Sequence, residues 1–297
     1  MSVSNIDLSQ LPAPDIVETL DYENILDAML KDVRKRAPEF NALVESDPAY
    51  KLLEVAAYRE VLLRSRINQA ARAVMLPYAR GADLDNLGAL YRTTRHTIKP
   101  ADNTKTPPVP AVFESDKDYR RRLYLAWEGL SNAGTRDSYT YHALKSLSSI
   151  QDATASSPEK GKVLITVLSR TAPGTVSAEQ LATVNAYMQK PEIRQVTDLV
   201  TIESAKIINY KINATLHVLP GPGANIIKKT AEKELGLYVE ERRLIGQIIP
   251  VSGIYRILQQ EGVVRVDLES PTADIKPKKN EAGYCSAIAL KLASHDS

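Results

Sequence analysis

The chain has 297 residues, enough for two or three compact domains, and its 43% hydrophobic and 25% charged content is that of an ordinary globular protein. A net charge of +2 excludes the lopsided basic balance of a general nucleic-acid binder. Cys285 is the single cysteine, which excludes an intrachain disulfide and a Cys-based zinc site.

The first residues, MSVSNIDLSQLPAPDIVETL, lack the basic start and apolar core of a signal peptide. No apolar run approaches the ~20 residues that a membrane helix needs. Pro12 and Pro14 discourage helix, so residues 1–20 read as an extended arm, either loose or laid on a partner.

A helix is predicted from Asp21, its N-cap, with Leu20 and Ile25 in hydrophobic-staple positions, Ile25, Met29 and Val33 as its apolar face, and Pro38 as its stop. The next stretch, Ala49 to Tyr91, predicts one long helix, a break at Pro77 to Gly81, and a second helix with Asp83 as N-cap. Leu52, Ala56, Leu63, Ile67, Ala70 and Val74 recur at helical spacing on one narrow face, with Arg59 and Arg66 at its edge. Glu60 and Arg64 form a favourable i,i+4 pair on another side. A stripe this narrow fits a helix-bundle seam, and these eight residues are the candidate protein interface.

Residues 92–113 carry Pro100, Pro107, Pro108 and Pro110 and read as a semi-rigid extended spacer. Residues 114–150 read as a helical hairpin, with Ser115 and Thr135 as N-caps and Asn132-Ala133-Gly134 as the stop between. From Gly161 the pattern turns to strands. Val163 to Leu168 predicts a buried strand, Ser177 caps a helix through Leu181, Val184 and Tyr187, and Val196 to Glu203 predicts a second strand. This makes a β-α-β module over 151–204.

A second αβ module, 205–297, starts with the alternating strand Lys211 to Val218, with Ile212, Ala214, Leu216 and Val218 on one face. After Pro220-Gly221-Pro222-Gly223 come a helix carrying Ile227, Ala231, Leu235 and Tyr238, a short helix from Val251, a strand from Val263 to Leu268, a charged loop, and a last strand from Tyr284 to Leu292. The class is α+β: a helical region over 21–91 followed by two small αβ modules. The modules share a layout without a residue-level repeat.

Local chemistry is sparse. GPGANIIKKT lacks the Gly-Lys-Ser/Thr ending of a phosphate loop, and Pro222 removes a backbone donor, so a strand-to-helix turn is the better reading. His96, His142, His217 and His295 are scattered, with no metal-ligand spacing. No nucleophile elbow is present, and Asp83 with Asp85 fits helix capping better than a glycosidase pair. Arg120, Arg121 and Arg122 point about 100° apart on a helix and so make no single nucleic-acid stripe; at least one is expected to pair with Asp or Glu, here or on a partner. No cofactor or metal is expected. An adaptor, or an enzyme with a site composed from distant residues, remains the alternative class.

Three segments carry a resemblance: Arg66 to Leu90, Pro107 to Leu144, and LPGPGAN at Leu219 to Asn225. In order along the chain they resemble the baseplate assembly protein J family of contractile-tailed phages and phage-tail-like bacteriocins. The resemblance implies a non-catalytic baseplate wedge component, assembled in the host bacterial cytoplasm and residing in the virion tail. Implied partners are other wedge proteins, including those of the tail protein I type and the lysozyme-like wedge type, further copies of the chain, and the central hub and spike. Neither nucleic acid nor membrane is implied.

Overall fold

The computed structural model describes residues 16, 18–131, 134–218 and 223–294. The chain divides into two compact units, Met1–Arg95 and His96–Ser297. Most of the predicted arm, together with Asn132-Ala133, Gly221-Pro222 and His295, lies outside the described residues.

The first unit is helical. Helix α1 spans Tyr22–Arg36, and Asp21 caps it by accepting from the Asn24 N–H at 3.1 Å. Leu20 stays 44% exposed, and the face that packs inward is Ile25, Leu26 and Leu30, with Met29 and Val33 half-buried at its side. Helix α2, Pro48–Ala73, brings Ala57, Leu53, Val61 and Tyr50 onto that face. Pro48 stands in its first turn, where a missing N–H costs nothing. Glu18, at the end of the arm, lies on α2 of its own chain: Asn68 accepts from the Glu18 N–H at 3.2 Å and donates to its carbonyl at 2.9 Å. Arg64 bridges Glu60 and Glu18, at 2.6 and 2.8 Å.

Helix α3, Gly81–Leu90, starts earlier than its sequence suggests. Its N-cap is Arg80, whose carbonyl accepts from Asp83 at 3.1 Å, so Asp83 is a first-turn residue and not the cap. There its charge complements the positive end of the helix dipole.

In the second unit the proline-rich stretch does not run as an extended spacer. Strands β1, Thr97–Lys99, and β2, Val112–Phe113, pair antiparallel, and Asp102 and Val109 exchange two backbone hydrogen bonds, at 2.9 and 3.0 Å. The prolines leave Val109, Val112 and Phe113 between them as donors, which is enough to close a hairpin.

Helices α4, Asp116–Ala126, and α5, Arg136–Ser146, follow with Ser115 and Thr135 as side-chain caps. Gly134 has φ +63°, the left-handed conformation expected of it. The first sheet has order β3-β4-β5, with β3 Ile150–Ser156, β4 Lys162–Ser169 and β5 Leu199–Ser204. Helix α6, Ala178–Met188, joins the parallel pair β4 and β5 and begins with a full Ser177–Gln180 capping box. Strand β5 starts at Leu199, and Val196 is 96% exposed in the turn before it.

The second sheet has order β7-β6-β8, with β6 Lys206–Val218, β7 Val263–Ser270 and β8 Glu281–Ser294. Its core is the inward face of β6, Ile212, Ala214, Leu216 and Val218, covered by Ala231, Leu235 and Tyr238 of α7, Ala224–Glu241, and by Ile254 and Leu258 of α8, Val251–Leu258. Both sheets set a central strand between one antiparallel and one parallel neighbour. In the first the central strand comes second in the chain, in the second it comes first, so a similar layout arises without a repeat in sequence.

Candidate protein interface

Helix α2 has two apolar faces. At about 100° per residue, Ala57, Val61 and Leu53 point toward α1, while the predicted stripe is centred about 120° away. All eight stripe residues are exposed: Leu52, Ala56, Arg59, Leu63, Arg66, Ile67, Ala70 and Val74. Leu52, Leu63 and Val74 are 71, 66 and 70% exposed. Val55, Tyr58 and Leu62, which the sequence reading left out, are exposed as well and widen the stripe on one side. Their i, i+3, i+7 spacing is the signal that could have found them. Apolar rows of this length are uncommon on the surface of monomeric soluble proteins. Among the described residues neither Arg59 nor Arg66 has a carboxylate partner, whereas Arg64, on the other side of the helix, has two.

The other singled-out charges are consumed by structure. Arg122 and Glu114 form a buried pair at 2.6 Å, with side chains 3 and 2% exposed. Arg170 reaches Asp118 at 2.6 Å, and Arg121 reaches the buried carboxylate of Asp152 at 2.7 Å. That carboxylate holds the Arg121 guanidinium firmly in its charged form. The space left among these groups is about 10 Å³, room for one water and no substrate. The Arg120–Arg122 triplet thus supplies at least two internal ion pairs, where at least one was expected.

The three histidines among the described residues are equally absorbed. His96 contacts the Leu144 carbonyl at 3.2 Å, and burial, then the neighbouring Arg122 charge, holds its pKa down. His142 contacts the Gly129 carbonyl at 3.2 Å, burial lowers its pKa, and its Nδ1 is buried without a partner. His217 meets Asp267 at 2.8 Å on the polar face of β6. Burial raises the Cys285 thiol pKa, as suits a half-buried side chain packed on the second core. No group of three potential ligands that could hold a metal occurs among the described residues. No helix among them is long and apolar enough to cross a membrane.

Comparison with known proteins decides the family. Residues 45–102 match the Baseplate J-like N-terminal domain, and residues 210–291 match the Baseplate J-like protein C-terminal domain. The chain is 45% identical to Baseplate protein J of Escherichia phage P2, over 98% of this chain and 99% of that one. The chain belongs to the baseplate J-like family. Every residue of the α2 stripe lies inside the matched J-like N-terminal domain, and the whole of β7 lies inside the C-terminal one. A looser likeness links the J-like chain to a chain in the cryo-EM structure of the anti-feeding prophage baseplate, with TM-score 0.37 and 12% identity. It covers 62% of this chain and 44% of that one, so it spans less than half of that protein.

Proposed function

We propose that this J-like chain is a structural, non-catalytic component of a contractile-tail baseplate, and that the α2 stripe is where the first unit binds a neighbouring wedge protein. The carrying observation is the exposed row Leu52, Leu63, Ile67 and Val74, flanked by Arg59 and Arg66, which have no carboxylate partner among the described residues, in a chain where Arg121 and Arg122 are spent internally. The partner side would be an apolar helix edged with carboxylates, which sets register more than raw affinity. The family assignment makes wedge proteins of the tail protein I type and the lysozyme-like type the natural occupants, with the αβ region directed toward further copies and the hub and spike. The setting is the virion tail baseplate, assembled in the host bacterial cytoplasm.

Leu63→Asp tests the reading. Leu63 is 66% exposed in the free chain, so the change should leave thermal melting within about 0.5 kcal/mol of the parent. In the assembled interface it would remove about 1–2 kcal/mol of apolar burial and add the cost of burying a carboxylate. Complementation of a phage lacking its own J-like gene should then yield no contractile tails. Normal tails from Leu63→Asp would sink the seam.

A further inference from the structure

In the first sheet β5 pairs with β4 on one side and with no strand on the other. The backbone groups of successive strand residues point to opposite sides. The Leu199 N–H binds the Gly161 carbonyl, just before β4, and the Ala205 N–H binds the Val167 carbonyl of β4, both at 2.8 Å. By this parity Leu199, Thr201, Glu203 and Ala205 spend their groups on the β4 side, while Val200 and Ile202 turn theirs outward. Among the described residues one hydrogen bond meets that outward row. Gln189, at the end of α6, donates to the Val200 carbonyl at 3.1 Å. Alongside runs an open groove of about 450 Å³, lined by Leu181, Ala182 and Asn185 of α6 and by Val200 and Ile202 of β5.

We propose that this groove takes up an extended segment of another tail protein, which adds to β5 as a further, antiparallel strand. The inference rests on the baseplate reading only for where that protein is met. A free strand edge beside a helix suits strand addition, in which backbone bonds give affinity and alternate side chains give selectivity. Antiparallel pairing lets one residue of the segment exchange two bonds with Ile202, and is the more stable of the two directions per residue. Residues directly opposite each other share a face of the sheet. The residue opposite Ile202, the first position, and the third, opposite Val200, therefore point into the groove beside Leu181 and Ala182, which calls for apolar side chains. The second position stands beside Thr201, in solvent, and is polar or β-branched. The fourth stands beside Leu199, which is exposed, and is apolar. Because the Val200 carbonyl already has a donor in Gln189, the third position needs no N–H and accommodates proline.

A second copy of the chain fits this edge less well. Two β5 strands related by a two-fold axis on Thr201 would pair Val200 with Ile202 and set Leu199 opposite Glu203. Both Ile202 N–H groups would then meet a Val200 carbonyl that Gln189 already occupies.

Amide exchange, compared between the isolated chain and the same chain in purified contractile tails, tests this. In the isolated chain the Val200 and Ile202 amides should exchange faster than those of Thr201 and Glu203, which β4 protects. In tails they should slow by about tenfold or more. Ala182 is exposed, so Ala182→Arg should leave the melting temperature unchanged while blocking the groove, and no tails should form. Ala182→Ser keeps the groove open and should give normal tails. A photoreactive benzoylphenylalanine in place of Ala186, one turn along α6 from Ala182, should cross-link in tails to a different tail protein, within a segment of the stated pattern. No slowing at Val200 and Ile202, normal tails from Ala182→Arg, or an adduct with another copy of the chain overturns the proposal. Normal tails from Ala182→Arg would leave the baseplate reading standing and remove only the groove. Failure of the unaltered chain to enter tails would remove that reading, and the groove with it.

Discussion

Asp152→Ala is the sharpest test of how the second unit is held together. The Asp152 side chain is 2% exposed and accepts from Arg121 at 2.7 Å, from the Ala153 N–H at 2.8 Å and from the Ile245 N–H at 2.8 Å. It thus ties α4 and the first sheet to the connection between α7 and α8, which bridges β8 of the second sheet at Ala282. Close by, Leu168, Ala205, Ile245 and Ala282 form a shared buried cluster, and Arg243 donates to the Ser169 and Arg170 carbonyls. Removing the carboxylate strands a guanidinium and the buried N–H groups of Ala153 and Ile245. Breaking a buried pair costs about 3–5 kcal/mol, and Arg121, 34% exposed, can recover some hydration, which favours the low end. With the Ile245 N–H orphaned as well, about 3–4 kcal/mol is expected. For a unit of this size that is a fall of about 6–16 °C in Tm. Asp152→Asn keeps an acceptor for Ile245 and should lose about half as much. Calorimetry on the full chain provides the assay. A fall under about 2 °C for Asp152→Ala would show that the carboxylate does not join the two sheets.

Arg59→Ala should leave the fold intact and slow baseplate assembly at low salt, with the deficit shrinking as salt rises, because an exposed charge is screened within about 10 Å at 0.1 M. A deficit independent of salt would place Arg59 in a buried contact instead. Acid should destabilise the second unit through His142 and His96. Their folded pKa values are depressed by burial, so the unfolded chain takes up protons first, and stability present above about 6.5 is lost as pH falls below it. Urea titrations should show that slope, and His142→Gln should flatten part of it; an unchanged slope would clear His142. Amide exchange in the isolated chain should be faster over the second half of α2 than over β6, and should slow on assembly.

What was legible in the sequence was local. Asp21, Ser115, Thr135 and Ser177 are found as caps because a cap is satisfied within three residues. The alternation of Ile212, Ala214, Leu216 and Val218 marks β6 because every one of them faces the same core. Strand β3 was not legible: IQDATAS is short and polar, and it offers no clear alternation of apolar residues although a turn signal, Ser157-Pro158 to Gly161, follows it. The hairpin at Thr97 to Phe113 was hidden by its prolines, which advertise extended chain whether or not it folds back. The charge cluster was half visible. That at least one of the arginines would be paired was expected, but Asp152 and Ile245 are 93 positions apart, and nothing local connects them.

The α2 stripe shows where such reading stops. Its periodicity was plain, but periodicity cannot say which of two apolar faces goes inside. The structure gives α1 the face of Ala57 and leaves Leu63 in solvent. The consequence is energetic. Of the 26 residues of α2, only Ala57 and Asn68 are buried, and Asn68 is spent on holding Glu18. Helices owe most of their stability to a packed face rather than to propensity. The hydrophobic cluster with α1 draws on α2 residues from Tyr50 to Val61, so beyond Val61 the support seen among the described residues is mainly the Glu18 and Glu60 contacts. Those contacts are partly exposed, and solvent screening leaves such pairs little net stabilisation. A partner laid along Leu63, Ile67, Ala70 and Val74 would cover the segment that the chain itself leaves least supported. Fast exchange before assembly and protection after it would be the signature. Slow exchange there in the isolated chain would mean that α2 needs no partner to hold its second half.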